Sequence, residues 1–287
     1  MECIITVING NRLDAGSVGL GVSCHLRRRP AGREVRGVLM IYHGDCLDIM
    51  PTLADKSVDM ILCDLPYGTT ACKWDTVIPF EPLWKQYKRL IKDNGAIVLT
   101  ASQPFTSALV MSNIKWFKHE WIWDKVLSTG HLNAKRMPMR QTENIVVFYE
   151  GICTYNPILI KRPEGKRINK GTGKIEGLND SAYGIRKSSS GEYDYRQPTT
   201  LLTISNADRT NRLHPTQKPV ALFEYLIRTY TNEGDTVLDN CAGSFTTAIA
   251  CLNTNRKYIC IEKDEKYFDI GKNRIANHQP LLQAVNV

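Results

Sequence analysis

Residues 234–251 read GDTVLDNCAGSFTTAIAC. The apolar run ending in Asp239, the small residues Ala242, Gly243 and Ser244, and the apolar stretch opened by Thr246 and Thr247 predict a strand, a tight loop and a helix in succession. In open α/β sheets a nucleotide site begins this way, because glycine lets the backbone approach a ligand and a helix N-terminus favours anionic groups. The next strand, KYICIE, ends in Glu262. An acid roughly twenty residues beyond the first strand is placed to accept hydrogen bonds from ribose hydroxyls. Taken alone, a small-residue turn of this kind is also an ordinary connection between strand and helix.

Working outward, the chain alternates as an α/β fold should. VLMIYHGD, VDMILCD and GAIVLTAS read as strands, while CLDIMPTL, PFEPLWKQYKRLIK and PFTSALVMS read as helices. Short apolar runs without polar alternation suit parallel strands buried on both faces. KHEWIWDKV and ENIVVFYE predict two more strands, an antiparallel pair at one edge. KPVALFEYLIRTYT predicts a helix before the 234–251 segment, and a last helix follows from about Asp264. The fold class expected from this alternation is α/β, a mostly parallel sheet with an inserted region.

The formal charge of +8 is unevenly spread. Residues 161–212 hold eleven Lys/Arg against six Asp/Glu, residues 1–39 hold six Arg against three acids, and the remainder is neutral. A basic segment on a neutral body suggests a polyanion partner, although a solvated loop has the same composition. Residues 151–212 lose the apolar pattern and mix Gly, Ser, Lys and Arg with tyrosines, which inside a compact domain points to a functional insertion. Residues 1–39 have little periodicity and are expected to form a poorly ordered extension, with 40–150 and 213–287 as the two halves of the main domain. A chain starting at Met40 would still hold that whole domain.

Nine cysteines form no C-x-x-C pair and no disulfide-like array, so they read as reduced thiols without a metal site. Neither a membrane span nor a secretory signal is visible, and the expected location is the cytoplasm. His119 and His131 have no neighbours that argue for a metal, and Trp74, Trp116, Trp121 and Trp123 are expected to be packing residues.

A second strand also ends in an acid. Residues 63–70 read CDLPYGTT, so that Asp64, Leu65, Pro66 and Tyr67 follow the strand VDMIL directly. As an isolated feature this is a Pro-Gly turn. Together, HGDCLDIM, CDLPYG, TASQPF, HPTQKPV and VLDNCAGSFTT resemble, in that order, a DNA amino-methyltransferase of the permuted group, with the catalytic motif before the cofactor motif. The resemblance covers residues 40–275 and is nearest to the adenine-N6 enzymes of bacteria and phages, including those of restriction-modification systems.

The resemblance implies a doubly wound, mostly parallel Rossmann-like methyltransferase sheet with residues 151–212 as its inserted target-recognition region, S-adenosylmethionine as methyl donor, and an adenine flipped out of double-stranded DNA as acceptor. It implies that the Asp64 carboxylate and the Leu65 carbonyl accept the N–H groups of the target amine, that Pro66 shapes the turn and that Tyr67 stacks on the base. On the donor side it implies Asp45 and Cys46 near the adenine, the loop Asp239, Ala242, Gly243, Ser244 and Thr246 around the methionine part, Glu262 on the ribose, and Thr216 and Lys218 reaching the donor's carboxylate. Lys135, Arg136 and Arg140 make a phosphate-contacting loop. No metal is implied, and a paired restriction endonuclease and a homodimer are compatible with it.

Leu65 stands where the family has proline, and Asn240, Cys241 and Phe245 stand where relatives carry proline, an aromatic residue and glycine. A positive φ demanded at Phe245 would weaken donor binding. Open alternatives are a cytosine-N4 enzyme, a methyltransferase acting on RNA or on a protein glutamine, a dinucleotide oxidoreductase, and a degraded relative that binds DNA without catalysis. Asp64 favours adenine, since cytosine-N4 enzymes more often have serine there.

Overall fold

A computed structural model describes residues 39–69, 75–163, 194–206, 213 and 217–278, together with the backbone of Val7–Asn9. Two compact units result, residues Met1–Asn156 with Thr200–Val287, and Pro157–Thr199.

The larger unit is built on a nine-stranded sheet. In chain order its elements are β1 (Val7–Asn9), β2 (Met40–His43), α1 (Cys46–Ile49), β3 (Val58–Asp64), α2 (Phe80–Leu90), β4 (Ile91–Ala101), α3 (Phe105–Ser112), β5 (Phe117–Thr129) and β6 (Arg140–Phe148). After β7 (Ile160–Lys161) and β8 (Tyr195–Arg196), which belong to the smaller unit, come β9 (Leu201–Thr203), α4 (Val220–Tyr230), β10 (Thr236–Asp239), α5 (Thr246–Asn253), β11 (Lys257–Glu262) and α6 (Glu265–Ala276). The sheet order is β1-β2-β11-β10-β3-β4-β6-β5-β9, and β6 alone runs against the others.

Because side chains alternate across a strand, the central strands feed two cores. Met60, Leu62 and Val98 face Leu222 of α4, Ile249 of α5 and Ile275 of α6. Ile61, Cys63, Ile97 and Leu99 face Ile49 of α1, Tyr87 of α2 and Leu109 of α3. The continuous apolar runs in the sequence follow from this burial on both faces.

β10 lies beside β3 in parallel register, with Val237 opposite Met60 and Leu238 opposite Ile61. From β10 the chain winds through α5 to β11 toward one edge, and from β3 through α2 to β4 toward the other. Asp239 and Asp64, the last residues of these two strands, therefore flank the point where winding reverses, which is where open α/β sheets bind ligands.

Three expectations change. β5 and β6 do pair antiparallel, but they are not the edge, because β9 adds to β5 in parallel. β9 comes from the segment expected as an insertion, so residues up to Asn156 and from Thr200 belong to the main unit; a three-residue strand is too short to show periodicity. In the expected extension Val7–Asn9 forms an edge strand on β2, while residues 1–6 and 10–38 lie outside the described residues. The described part of the smaller unit is the antiparallel pair β7 and β8, with Ile160 opposite Arg196. No helix among the described residues is long and apolar enough to cross a membrane.

Candidate active site

Past the end of β10 the chain is held by its own acids. Asp239 is buried; its carboxylate accepts from Cys241 N at 3.1 Å and from the Thr247 hydroxyl. Burial pushes its carboxyl up to about 7. Gly243 takes φ +51°, and its N–H donates to Glu262 Oε2 at 2.6 Å, while Asp264 N donates to Oε1 at 2.8 Å. Burial also raises the Glu262 carboxyl. At the end of β2, Asp45 caps α1 by accepting from Leu47 N at 2.9 Å and pairs with Lys263 Nζ at 2.9 Å. Burial opposes ionisation of Asp45, but the hydrogen bonds from Lys263 and Leu47 outweigh it and hold the carboxyl below its ordinary value.

Phe245 does adopt a left-handed conformation, φ 59°, at the N-cap of α5. For an aromatic residue that backbone costs about 1–2 kcal/mol. Its ring compensates by being fully buried, edge-on to Phe268 at 5.8 Å and over Gly271, where an added Cβ would stand 2.6 Å from Phe245 Cγ. The ring thus enters the α5–α6 core, while the backbone of Gly243 and Ser244 stays on the cavity side. Arg274 of α6 fastens that backbone from behind, donating to Ser244 O at 2.9 Å and Thr246 Oγ1 at 3.1 Å. Asn240 is buried too. It accepts from the Tyr87 hydroxyl at 2.6 Å and donates to both Cys46 and Cys241 Sγ at 3.5 Å.

The turn after β3 is pinned from both sides. Asp75 accepts from Gly68 N at 2.8 Å and Thr69 N at 2.9 Å, and Gly68 takes the positive φ of +68° that the turn demands. The side chain of Leu65 is buried in the core below. Asp64 Oδ1 accepts from the Tyr67 hydroxyl at 2.7 Å and from the Thr100 hydroxyl. Oδ2 accepts from Lys218 Nζ at 2.8 Å. The Tyr67 ring rests on Phe105, centroids 5.2 Å apart at 25°. Burial, then the Asp64 charge, raise the Tyr67 hydroxyl well above its ordinary value, so it acts as a donor.

Behind Asp64 the charges alternate. Lys218 also lies 3.5 Å from Glu143 Oε2, and Glu143 Oε1 accepts from Lys125 Nζ at 3.1 Å. Both lysines are buried. Burial opposes the charge on Lys218, but Asp64, Tyr67 and Glu143 outweigh it and hold the ammonium well above its ordinary value. Pairing of this kind is what makes buried charges tolerable.

Both strand ends open onto one cavity of about 790 Å³. Asp45, Cys46, Asp64, Leu65, Pro66, Tyr67, Lys218, Asp239, Ala242, Gly243, Ser244, Thr246 and Glu262 all line it. Thr216 falls outside the described residues. Lys135 and Arg136 on the β5–β6 connection and Arg140 at the start of β6 are exposed and are not among its lining residues. The Lys218 ammonium donates to Asp64 and stands 3.5 Å from Glu143 Oε2. Trp121 and Trp123 are buried as expected, though Trp123 also lines the cavity. The six described cysteines are free thiols.

Sequence reasoning missed Thr100, Asp75, Glu143, Lys125 and Arg274. Thr100 sits in TASQPF, a motif that stood without an assigned role. Glu143 and Lys125 come from β6 and β5, and only the register that sets Trp123 opposite Glu143 brings them to the site.

A family model described as DNA methylase, that of the N6/N4 methyltransferases, matches residues 58–273. The chain is 26% identical over 271 residues to the type II methyltransferase M2.MboI of Moraxella bovis, covering 85% of this chain and 89% of that protein. It is 28% identical over 268 residues to the DNA adenine methyltransferase YhdJ of Escherichia coli, with 86% and 85% covered. The Escherichia coli protein YubD is 44% identical over 253 residues, with 84% and 91% covered. Among solved structures, the M1.HpyAVI–SAM complex superposes with TM-score 0.54 at 25% identity, covering 82% of this chain and 98% of that one. With an acid-ended turn and a small-residue loop meeting at the sheet's switch point and the family model spanning most of its length, this chain belongs to the N6/N4 DNA methylase family.

Proposed function

We propose that the chain transfers a methyl group from S-adenosylmethionine to the N6 amino group of an adenine in double-stranded DNA. The observation that carries this reading is the opening of Asp64 and Asp239 onto one cavity. A relative named as a DNA adenine methyltransferase and the acid at position 64 favour adenine over the N4 of cytosine.

The cavity suits the donor. Its volume lies within the usual range for cofactor sites, and its floor is a small-residue loop with Gly243 at positive φ, where the backbone can approach a ligand closely. Glu262 accepts backbone N–H groups from Gly243, Asp264 and Lys263, which leaves one of its four lone pairs for a ribose hydroxyl. Asp239 and Ser244 would hold the methionine part, and Asp45 and Cys46 the adenine. The donor supplies an electrophilic methyl on a sulfonium.

The chain's own residues prepare the acceptor. An exocyclic base nitrogen is a poor nucleophile because its lone pair is delocalised into the ring. Asp64 and the Leu65 carbonyl, accepting its two N–H groups, favour pyramidalisation and aim the lone pair, so that orientation and electrostatics supply most of the catalysis. Tyr67, braced on Phe105, offers the flipped base a ring to stack on. Proton loss follows transfer, once the nitrogen is cationic, and the Lys218 ammonium beside Asp64 favours that loss by like-charge repulsion. Lys135, Arg136 and Arg140 would contact phosphates.

The test is sequencing of methylated positions in DNA from cells expressing the wild-type chain or Asp64→Ala. N6-methyladenine within one sequence motif, absent with the variant, supports the reading. N4-methylcytosine instead, or no methylation by the wild-type chain, overturns it.

A further inference from the structure

The lone pairs of Asp64 decide where an incoming amino group can bind. Each carboxylate oxygen has two. Oδ1 already accepts from Tyr67 and Thr100, so it is full. Oδ2 accepts from Lys218 at 2.8 Å and keeps one. The target amine therefore donates to the oxygen that Lys218 holds, directly beside its ammonium.

Lys218 has donors to spare. Of its three N–H groups one lies on Asp64; Glu143 Oε2, at 3.5 Å, is a charge contact and accepts no hydrogen bond. Lys218 lines the cavity, and its ammonium lies over the Tyr67 ring, 5.6 Å from its centre, within reach of the edge of a base laid on that ring.

We propose that Lys218 reads the target base by donating a hydrogen bond to a ring nitrogen flanking the amino group. Asp64 Oδ2 and Lys218 Nζ then form an acceptor–donor pair that matches the amino-plus-ring-nitrogen edge. Guanine and thymine present a carbonyl beside an N–H on the corresponding edge, which sets acceptor against carboxylate and donor against ammonium. Sites built on such hydrogen bonds reject mismatched patterns strongly, because buried polar groups are left unpaired. Glu143 is a positioning residue: standing between Lys218 and buried Lys125, it keeps the ammonium charged and aimed. The inference rests on the proposed function, and assigns Lys218 to the base rather than to the methyl donor.

The experiment measures single-turnover methylation of a duplex bearing the methylated sequence, with the target adenine intact or replaced by 1-deazaadenine or 7-deazaadenine. Wild type, Lys218→Met and Glu143→Gln are compared. The expected result is a loss of about tenfold or more for wild type on one analogue, a similar loss for Lys218→Met on adenine, and no further loss when the two are combined. Glu143→Gln shows a smaller loss on adenine with the same non-additivity, which serves if Lys218→Met does not fold. S-adenosylmethionine binding by calorimetry stays within about twofold. Losses that multiply, full wild-type rates on both analogues, or a Lys218→Met defect confined to donor binding overturn the proposal. Absence of transfer to intact adenine by wild type brings down the functional reading and this inference together.

Discussion

Gly271 and Phe245 are complementary: the aromatic residue at the left-handed N-cap of α5 fits because the facing residue of α6 has no side chain. Restoring a Cβ at position 271 would place it 2.6 Å from Phe245 Cγ. In an open helix Gly→Ala gains up to about 1 kcal/mol. Here the sign reverses. Gly271→Ala is expected to destabilise by about 1–3 kcal/mol through overpacking, read as a lower thermal midpoint. An unchanged or higher midpoint would show that the ring has room to move.

Asp239 predicts a pH dependence. Burial pushes its carboxyl up to about 7 in the folded chain, against about 3.9 when unfolded. Between those values the native state binds more protons than the unfolded one, so this residue's contribution to stability falls as pH rises from about 4 to about 7 and stays low above. The full cost is on the order of 4 kcal/mol. Chemical denaturation at pH 5 and pH 8 should show Asp239→Asn gaining on wild type at the higher pH. A constant difference between the two proteins would contradict the linkage.

Donor binding should show the opposite trend. If ionised Asp239 holds the cationic methionine part, S-adenosylmethionine affinity rises as pH increases through about 7, and Asp239→Asn removes both the rise and most of the affinity. Isothermal titration at pH 6 and pH 8 measures it.

Asp64→Asn should separate chemistry from donor binding. The carboxylate loses its charge beside Lys218 while the donor loop is untouched, so methyl transfer is expected to fall at least about 100-fold with S-adenosylmethionine affinity little changed. Transfer at the wild-type rate would remove Asp64 from the mechanism.

Asp75 holds the turn after β3 through Gly68 N and Thr69 N. Asp75→Ala removes two charge-assisted hydrogen bonds, each worth about 1.5–3 kcal/mol. The methyl-transfer rate should fall about tenfold or more without loss of donor affinity, and Asp75→Asn, which keeps one acceptor oxygen, should recover part of it. Equal activity in all three proteins would show that the turn holds itself.

What the sequence determined by itself was local. Strand and helix periodicity, the two acid-ended turns and their residue types marked the elements and most of the cavity lining, because burial on both faces writes continuous apolar runs and tight turns demand Gly and Pro. The tertiary structure decided which side chains meet. Lys218 reaches Asp64 across 154 positions, and Glu143 and Lys125 join them through strand register, so pairing of buried charges set Lys218 against the turn after β3. Likewise, the sequence showed Phe245 as a departure. Only the packing of α6 against α5 showed that its ring leaves the cavity for a space that glycine keeps open.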